Sequence, residues 1–135
     1  MPFDLFGPTY SLLAKALDLR SQRHAVIASN IANAETPGYK AVSLRFEDEL
    51  NKIISSRNSL HLVRTNPNHL PYSDIEHVRP VIVQSLSRVT RIDGNTVDLE
   101  EELTALSKNQ IMYDALAQIL KRKFDGLAST IKELK

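Results

Sequence analysis

The sequence contains no cysteine, and this absence excludes both disulfide bonds and thiolate metal sites. It has only four glycines in 135 residues, and they form neither a phosphate-binding loop nor a nucleophile elbow. No apolar run approaches the roughly 20 residues that a membrane-spanning helix needs. The composition therefore predicts one modest domain with no disulfide framework and no direct membrane span.

An excess of charge of one sign is also missing. There are 17 basic and 16 acidic residues, so the net charge is +1. Because a nucleic-acid-binding domain normally has a strong basic excess, we expect no nucleic-acid partner. The first eight residues lack a basic segment followed by an apolar core, so we expect no cleaved signal peptide.

The sequence offers little for catalysis. Carboxylates cluster at residues 47–49 and 100–102, where we expect them to be solvated or to favour a helix start. Paired catalytic carboxylates need a pocket, and no segment indicates one. We therefore expect no enzymatic activity and no cofactor.

Three histidines are evenly spaced and raise the question of a metal site. His61, His69 and His77 lie eight residues apart, but Pro67 and Pro71 prevent a continuous helix from aligning them. The spacing also differs from that of common zinc motifs. We interpret them as surface histidines and expect no metal.

The chain divides into three regions, residues 1–40, 41–95 and 96–135. A helix is predicted over residues 9–33, after Pro8 at a favourable first helical position. In the middle region we expect a short helix near residues 46–54, a brief strand at 60–64, and an extended strand or hairpin over 81–92. Residues 65–68 and 93–95 have turn composition.

The last region has the strongest periodicity. Apolar residues recur by alternating steps of four and three from residue 99 onward, which predicts a helix over residues 97–134 with a coiled-coil seam. The predicted seam residues are Leu99, Leu103, Leu106, Tyr113, Leu120, Phe124, Leu127 and Ile131. The fold class that follows is mainly α, with long N- and C-terminal helices pairing as a coiled coil around a small irregular or β-containing middle segment.

Three polar residues interrupt the apolar face of the first helix. Arg20, Arg23 and His24 could bind phosphate, but we favour pairing with acidic groups on a neighbouring helix.

The end of the first helix carries the most informative motif. Pro37 lacks an amide donor and Gly38 accepts positive φ, so the helix must stop there and the chain must turn. Local physics alone is satisfied by an ordinary helix end. The amides of Asn30 and Asn33 can both donate and accept hydrogen bonds, so they also suit contact with backbone or with a neighbouring chain.

That motif resembles the N-terminal signature of bacterial flagellar rod and hook proteins. The resemblance implies that the motif redirects the chain and meets neighbouring subunits, through Asn30, Ile31, Asn33, Thr36, Pro37, Gly38 and Tyr39. Residues 93–102, continuing to Asn109 and Tyr113, are similar to the C-terminal signature of the rod proteins, and residues 65–70 resemble the middle segment of a proximal rod subunit. The short length also favours the proximal rod, because distal rod and hook proteins contain a large inserted domain.

The resemblance implies a structural subunit of the flagellar basal body that assembles helically and transmits torque for motility. Its implied partners are copies of itself, sibling rod proteins, the membrane-ring side of the basal body and the flagellar export apparatus. Its implied location is the periplasm-spanning rod, reached by type III export. The alternative left open by the residues is a cytoplasmic coiled-coil adaptor that forms a discrete oligomer.

Overall fold

Two long helices frame the protein. The computed structural model describes residues 8–58, 78–85 and 90–133. The elements in chain order are α1 (Pro8–Ala32), β1 (Val42–Arg45), α2 (Glu47–Asn58), β2 (Val81–Gln84) and α3 (Leu99–Glu133). The predicted mainly α fold with a small β-containing middle segment is confirmed.

Both long helices begin and end where local chemistry predicts. Pro8 opens α1, and its missing N–H costs nothing at that position. Asp98 caps α3, because its Oδ1 accepts the N–H groups of Glu100 at 3.0 Å and Glu101 at 3.2 Å. Acidic residues fill the first turn of α3 and Lys132 lies in its last turn, as the helix dipole favours.

The helices α1 and α3 pack side by side in opposite directions. The rings of Tyr10 and Phe124 lie 5.3 Å apart at one end. Asn109 donates to the carbonyl oxygen of Arg20 near the middle. At the other end the contact is between Asn30 and Glu102. Residue numbers therefore fall along α3 as they rise along α1, and the two chain ends form one helical hairpin.

A two-stranded antiparallel sheet lies beside this hairpin. Val42 pairs with Gln84 and Arg45 with Val81. The sequence did not predict β1, and β2 ends at Gln84, well short of the predicted 81–92 stretch. The predicted strand at 60–64, the turn at 65–68 and the three evenly spaced histidines lie outside the described residues.

The main core joins α1, the sheet and α2. Its buried members are Leu19, Leu44, Phe46, Ile53 and Val78. A smaller apolar cluster of Ala34, Ala41 and Val97, with Tyr39 against it, lies where the chain leaves α1 and approaches α3. Among the described helices, none has an apolar stretch long enough to cross a membrane.

Candidate functional site

The two sequence motifs meet in space. Residues 30–42 and 91–97 form one hydrogen-bonded unit, which we call the clasp, at the end of the α1–α3 hairpin. Gly38 N–H donates to the Asp93 carbonyl at 2.9 Å, and Thr96 N–H donates to the Tyr39 carbonyl at 3.1 Å. The Lys40 ammonium donates to the Gly94 carbonyl at 2.7 Å. The clasp therefore ties together segments about 60 residues apart.

Asn30 is the first polar centre of the clasp and is only 1% exposed. Its Nδ2 donates to the Val42 carbonyl at 2.7 Å, and its Oδ1 accepts the Val42 N–H at 3.1 Å. The side-chain amide thus satisfies both backbone groups of the first residue of β1. Nδ2 also donates to Glu102 Oε1 at 2.8 Å, so one side chain connects α1, β1 and α3.

Asn95 is the second polar centre and is fully buried. Its Nδ2 lies 2.8–3.0 Å from the carbonyl oxygens of Asn33, Ala34 and Thr36. These carbonyls lie at and just beyond the C-terminus of α1, where no further helical N–H groups follow. Its Oδ1 accepts the Val97 N–H at 2.7 Å. A residue about 60 positions further along the chain thereby caps the first helix.

Glycine is required at two points of the clasp. Gly38 has φ +72° and Gly94 has φ +79°, both in the left-handed region that glycine adopts at little cost. A Cβ on Gly94 would lie 3.7 Å from the Cα of Gly38, so the two turns approach closely. The predicted stop and turn at residues 36–38 is therefore observed.

Burial and neighbouring groups change the pKa of the Glu102 carboxyl group. Burial raises the pKa of its carboxyl group, the hydrogen bond from Asn30 opposes this, and the nearby Glu101 and Asp98 carboxylates raise it further. The net pKa lies above its ordinary value. The neighbouring carboxylates thus disfavour the charged form of Glu102, whereas the hydrogen bond from Asn30 favours it.

A second polar cluster lies between α1 and the start of α2. Two N–H groups of Arg23 pair with the Glu47 carboxylate, and its Nη2 also donates to the Leu44 carbonyl at 2.6 Å. Arg20 lies 3.8 Å from the same carboxylate, and both guanidinium groups lie over the Phe46 ring. The predicted pairing with an acidic residue on another helix is confirmed for Arg20 and Arg23, whereas His24 forms no salt bridge among the described residues.

This cluster also sets the charge of Glu47. Burial favours its neutral form, but hydrogen bonds from Arg23 and the backbone, together with the positive charge of Arg23, outweigh burial. The pKa of Glu47 is therefore below its ordinary value, and the group is ionised at neutral pH. An open groove of about 470 Å³ passes these residues between α1, β1 and α3.

Asn109 is a polar residue buried in the hairpin, and sequence reasoning did not predict its contact. Its Nδ2 donates to the Arg20 carbonyl at 2.9 Å, whereas its Oδ1 has no hydrogen-bond partner among the described residues. A buried acceptor without a partner destabilises the folded state.

Replacing Asn109 with leucine should therefore raise the free energy of unfolding by about 1 kcal/mol, because it removes the unsatisfied oxygen and adds apolar contact. Urea unfolding followed by circular dichroism would measure this. Asn109→Asp is the matched control and should destabilise the protein, since it buries a charge. A destabilised Asn109→Leu variant would contradict the prediction.

The predicted seam residues fall into two groups. Leu106, Leu120 and Leu127 are half-buried, and Phe124 contacts Tyr10 of α1. Phe124 nevertheless remains 44% exposed. Four other residues of the same face are exposed, and we call them the α3 strip: Leu99, Leu103, Tyr113 and Ile131. The predicted seam thus contains some residues that are covered within the chain and others that are exposed to solvent.

The predicted assembly residues differ in how deeply they are buried. Asn30 is buried and Ile31, Asn33 and Tyr39 are half-buried, whereas residues 36–38 lie exposed at the tip of the clasp. Tyr39 Oη donates to Asn30 Oδ1 at 3.3 Å, and Thr36 Oγ1 donates to Asn33 Oδ1 at 3.2 Å. The observed contacts of these residues are within the chain. Sequence reasoning missed Asn95 and Glu102 as the partners that complete them.

The described residues contain no group of three potential metal ligands close enough to hold an ion. The polar side chains of the clasp instead bond to one another and to the backbone. The fold and the clasp together define a helical-hairpin protein. Its buried polar side chains join the end of α1 to the segment that leads into α3, and its apolar α3 strip faces solvent.

Comparison with known proteins identifies the family. The family model described as flagella basal body rod protein matches residues 13–40, which contain the asparagine motif. Flagellar basal body rod protein FlgB of Buchnera aphidicola is 31% identical over 134 residues, covering 96% of this chain and 98% of that protein. FlgB of Bacillus subtilis is 34% identical, covering 94% of this chain and 95% of that protein. This chain belongs to the flagellar basal body rod protein family and is a structural subunit of that rod.

Family membership resolves the alternative left open by the residues. FlgB of Salmonella typhimurium is 30% identical over 122 residues, or 87% of this chain and 88% of that protein. Relatives that match nearly end to end are named as rod proteins, so a cytoplasmic adaptor is not favoured.

Proposed function

We propose that this chain is a subunit of the proximal rod, where it packs helically with copies of itself and with sibling rod proteins. The observation that carries the proposal is the exposed α3 strip. Leu99 and Leu103 are 47% and 48% exposed, and Ile131 is 61% exposed. Apolar residues aligned on one helix face and left in solvent mark a protein interaction surface.

The hairpin is suited to transmitting torque. Helix seams that become close-packed resist deformation, because protein interiors have low compressibility. The clasp adds rigidity where the chain turns, since Asn30 and Asn95 are buried and hydrogen-bonded on several sides. A load applied to one helix would thus pass to the other through fixed contacts.

The exposed tip of the clasp is the proposed second assembly surface. Thr36 and Pro37 face solvent while the residues behind them are held by Asn95. A rigid, exposed turn presents a fixed shape to a neighbour at little entropic cost. This supports the proposal that the asparagine motif both closes the chain and meets neighbouring subunits.

The resemblance of the sequence motifs supports proposals about more specific partners and about the location of the protein. We propose contacts with the membrane-ring side of the basal body and delivery by the flagellar export apparatus without a cleaved signal peptide. We also propose a purely structural role, with no catalytic activity, because the polar side chains of the clasp serve the fold.

The α3 strip offers a direct test in the bacterium. Leu103→Asp places a charge in the exposed strip and should abolish swimming and rod formation, with little effect on the folding of the monomer. Thr104→Asp is the matched control, because residue 104 is also exposed but lies on another face of the same turn. Swimming in soft agar and electron microscopy of basal bodies would measure both.

Two outcomes would contradict the proposal. Normal swimming of the Leu103→Asp strain would show that the strip is not an assembly surface. A complete rod in a strain that lacks the chain would remove the rod assignment itself.

A further inference from the structure

A second exposed apolar surface lies on α3, apart from the α3 strip. Met112 is 54% exposed and Ile119 is 45% exposed, and Ala115 between them is also exposed. The three residues follow one another at spacings of three and four, so they are neighbours on one side of the helix. We call them the α3 flank. Their exposure leaves this side of the helix open to a partner.

The α3 flank and the α3 strip lie on opposite sides of the helix. Leu103 of the strip and Met112 of the flank are nine residues apart, which is about two and a half turns at 3.6 residues per turn. The buried Asn109, which donates to the carbonyl oxygen of Arg20, lies between them around the helix. The helix therefore carries one exposed apolar surface on each side of its contact with α1.

Two different apolar surfaces on one helix allow a contact that repeats. If the strip of one copy packs on the flank of the next, every added copy still offers a free surface, so the contact extends instead of closing. An antiparallel pair that joins strip to strip is two-fold symmetric and closes on itself. A rod requires a contact that extends, and in this respect the inference rests on the proposed function. We propose that the α3 strip of one copy docks on the α3 flank of a second copy, with the two α3 helices parallel.

The sheet determines how far along α3 the second copy docks. The open groove between α1, β1 and α3 reaches Lys108. Lys108 and Ala115 are seven residues apart and share a side of the helix, so β1 lies on the flank side of α3, nearer the clasp. Leu103 of the second copy therefore docks beyond Lys108, between Met112 and Ile119. The two copies are then displaced by about 9–16 residues, or about 14–24 Å at 1.5 Å per residue.

The charges beside the two surfaces are of opposite sign. Asp114 lies on the strip side of α3, whereas Lys108 and Arg122 lie on the flank side. The salt bridges of the described residues involve none of these three side chains, so their charges are not paired within the hairpin. At a displacement of about nine residues, Asp114 of one copy is level with residue 123 of the other and within one turn of Arg122. Opposite charges at the rim of the contact favour a second copy in this direction.

Cysteine crosslinking tests the contact, because the chain has no cysteine of its own. The two test variants are Leu103→Cys with Met112→Cys and Leu103→Cys with Ile119→Cys, which sample both ends of the range of displacements. The two cysteines of one chain lie on opposite sides of α3, so they cannot join within it. The matched controls are the three single substitutions. Each full-length variant would be oxidised in isolated basal bodies and examined by non-reducing electrophoresis.

The proposed contact predicts crosslinked dimers and larger species from at least one double variant and none from the single variants. Crosslinked dimers from Leu103→Cys alone would establish strip-to-strip packing and overturn the proposal. The absence of crosslinks from both double variants, in basal bodies whose rods contain the chain and are complete by electron microscopy, would also overturn it. In that case the rod assignment still stands, because such rods contain the chain.

A charge on the flank provides a second measurement. Ile119→Asp should abolish swimming, because it places a carboxylate inside the proposed apolar contact. Gln118→Asp is the matched control and should swim like the parent, since Gln118 is exposed but points about 100° away from Ile119 around the helix. Circular dichroism of the purified variants would verify that α3 remains helical. Normal swimming of the Ile119→Asp strain would overturn the contact.

Discussion

Asn30→Asp should lower the free energy of unfolding by about 4 kcal/mol at neutral pH, because it places a charge in a site that needs a donor. Asn30 Nδ2 donates to the Val42 carbonyl and to Glu102. A carboxylate cannot donate these hydrogen bonds, and it would face both the carbonyl oxygen and the Glu102 carboxylate. The loss is a large part of the total stability of a domain of this size.

The effect should depend on pH in a defined direction. Burial and the nearby carboxylate would hold the folded-state pKa of the new side chain above its unfolded value. The penalty is therefore full above the folded-state pKa and shrinks as the pH falls toward the unfolded value. Urea unfolding measured between pH 5 and 7 would detect this trend.

Asn33→Asp is the control for this prediction. Asn33 is also near the end of α1, but its side chain is partly exposed and bonds only locally, to Ser29 and Thr36. Its replacement should cost about 1 kcal/mol or less. Equal destabilisation by the two variants would show that the buried contacts of Asn30 do not operate in solution.

Asn95→Ala should lower the free energy of unfolding by about 3 kcal/mol. The change removes one donor from three carbonyl oxygens and one acceptor from the Val97 N–H. Buried backbone groups that lose their partners cost about 1–3 kcal/mol each, and those nearest the surface recover part of this by binding water. Loss of the clasp should also reduce swimming, because the tip would no longer be held.

Thermal and urea unfolding of the Asn95→Ala protein would measure the change in stability. Asn51→Ala serves as the control, because Asn51 is exposed on α2 and alanine favours a helix. That variant should match or slightly exceed the parent protein. A loss of less than 1 kcal/mol in Asn95→Ala would contradict the capping role.

The helices could be predicted from the sequence because their determinants are local. The four-and-three spacing placed α3 within two residues of its observed bounds, and Pro8 marked the start of α1. The strand β1 could not be predicted, because Val42–Arg45 is only four residues long and depends on β2 and Asn30 for its hydrogen bonds.

The clasp was only half predictable. The motif at residues 30–40 indicated a stop and a turn, since proline and glycine act on the backbone around them. Its partner, Asn95, lies more than 50 residues away, and only the tertiary fold brings its amide to the end of α1. A buried asparagine and an exposed one have the same appearance in a sequence, so the different roles of Asn30 and Asn33 required the structure.

The heptad pattern in α3 had a similar limit. Periodicity identifies which residues are apolar on one side of a helix, but it does not say which of them a given partner covers. In the structure Leu120 is half-buried, whereas Leu103 is exposed to solvent. The division depends on how α1 lies across α3, which side-chain packing between the two helices decides.

The pairing of Arg45 with Val81 has a consequence for how such chains can vary. The polypeptide leaves the sheet after Arg45 and returns to it at Val81, so the two ends of the intervening stretch lie side by side. Lengthening a stretch whose ends are already adjacent costs only about 0.6 kcal/mol for each doubling. The same α1–α3 hairpin could therefore carry insertions of very different length between β1 and β2.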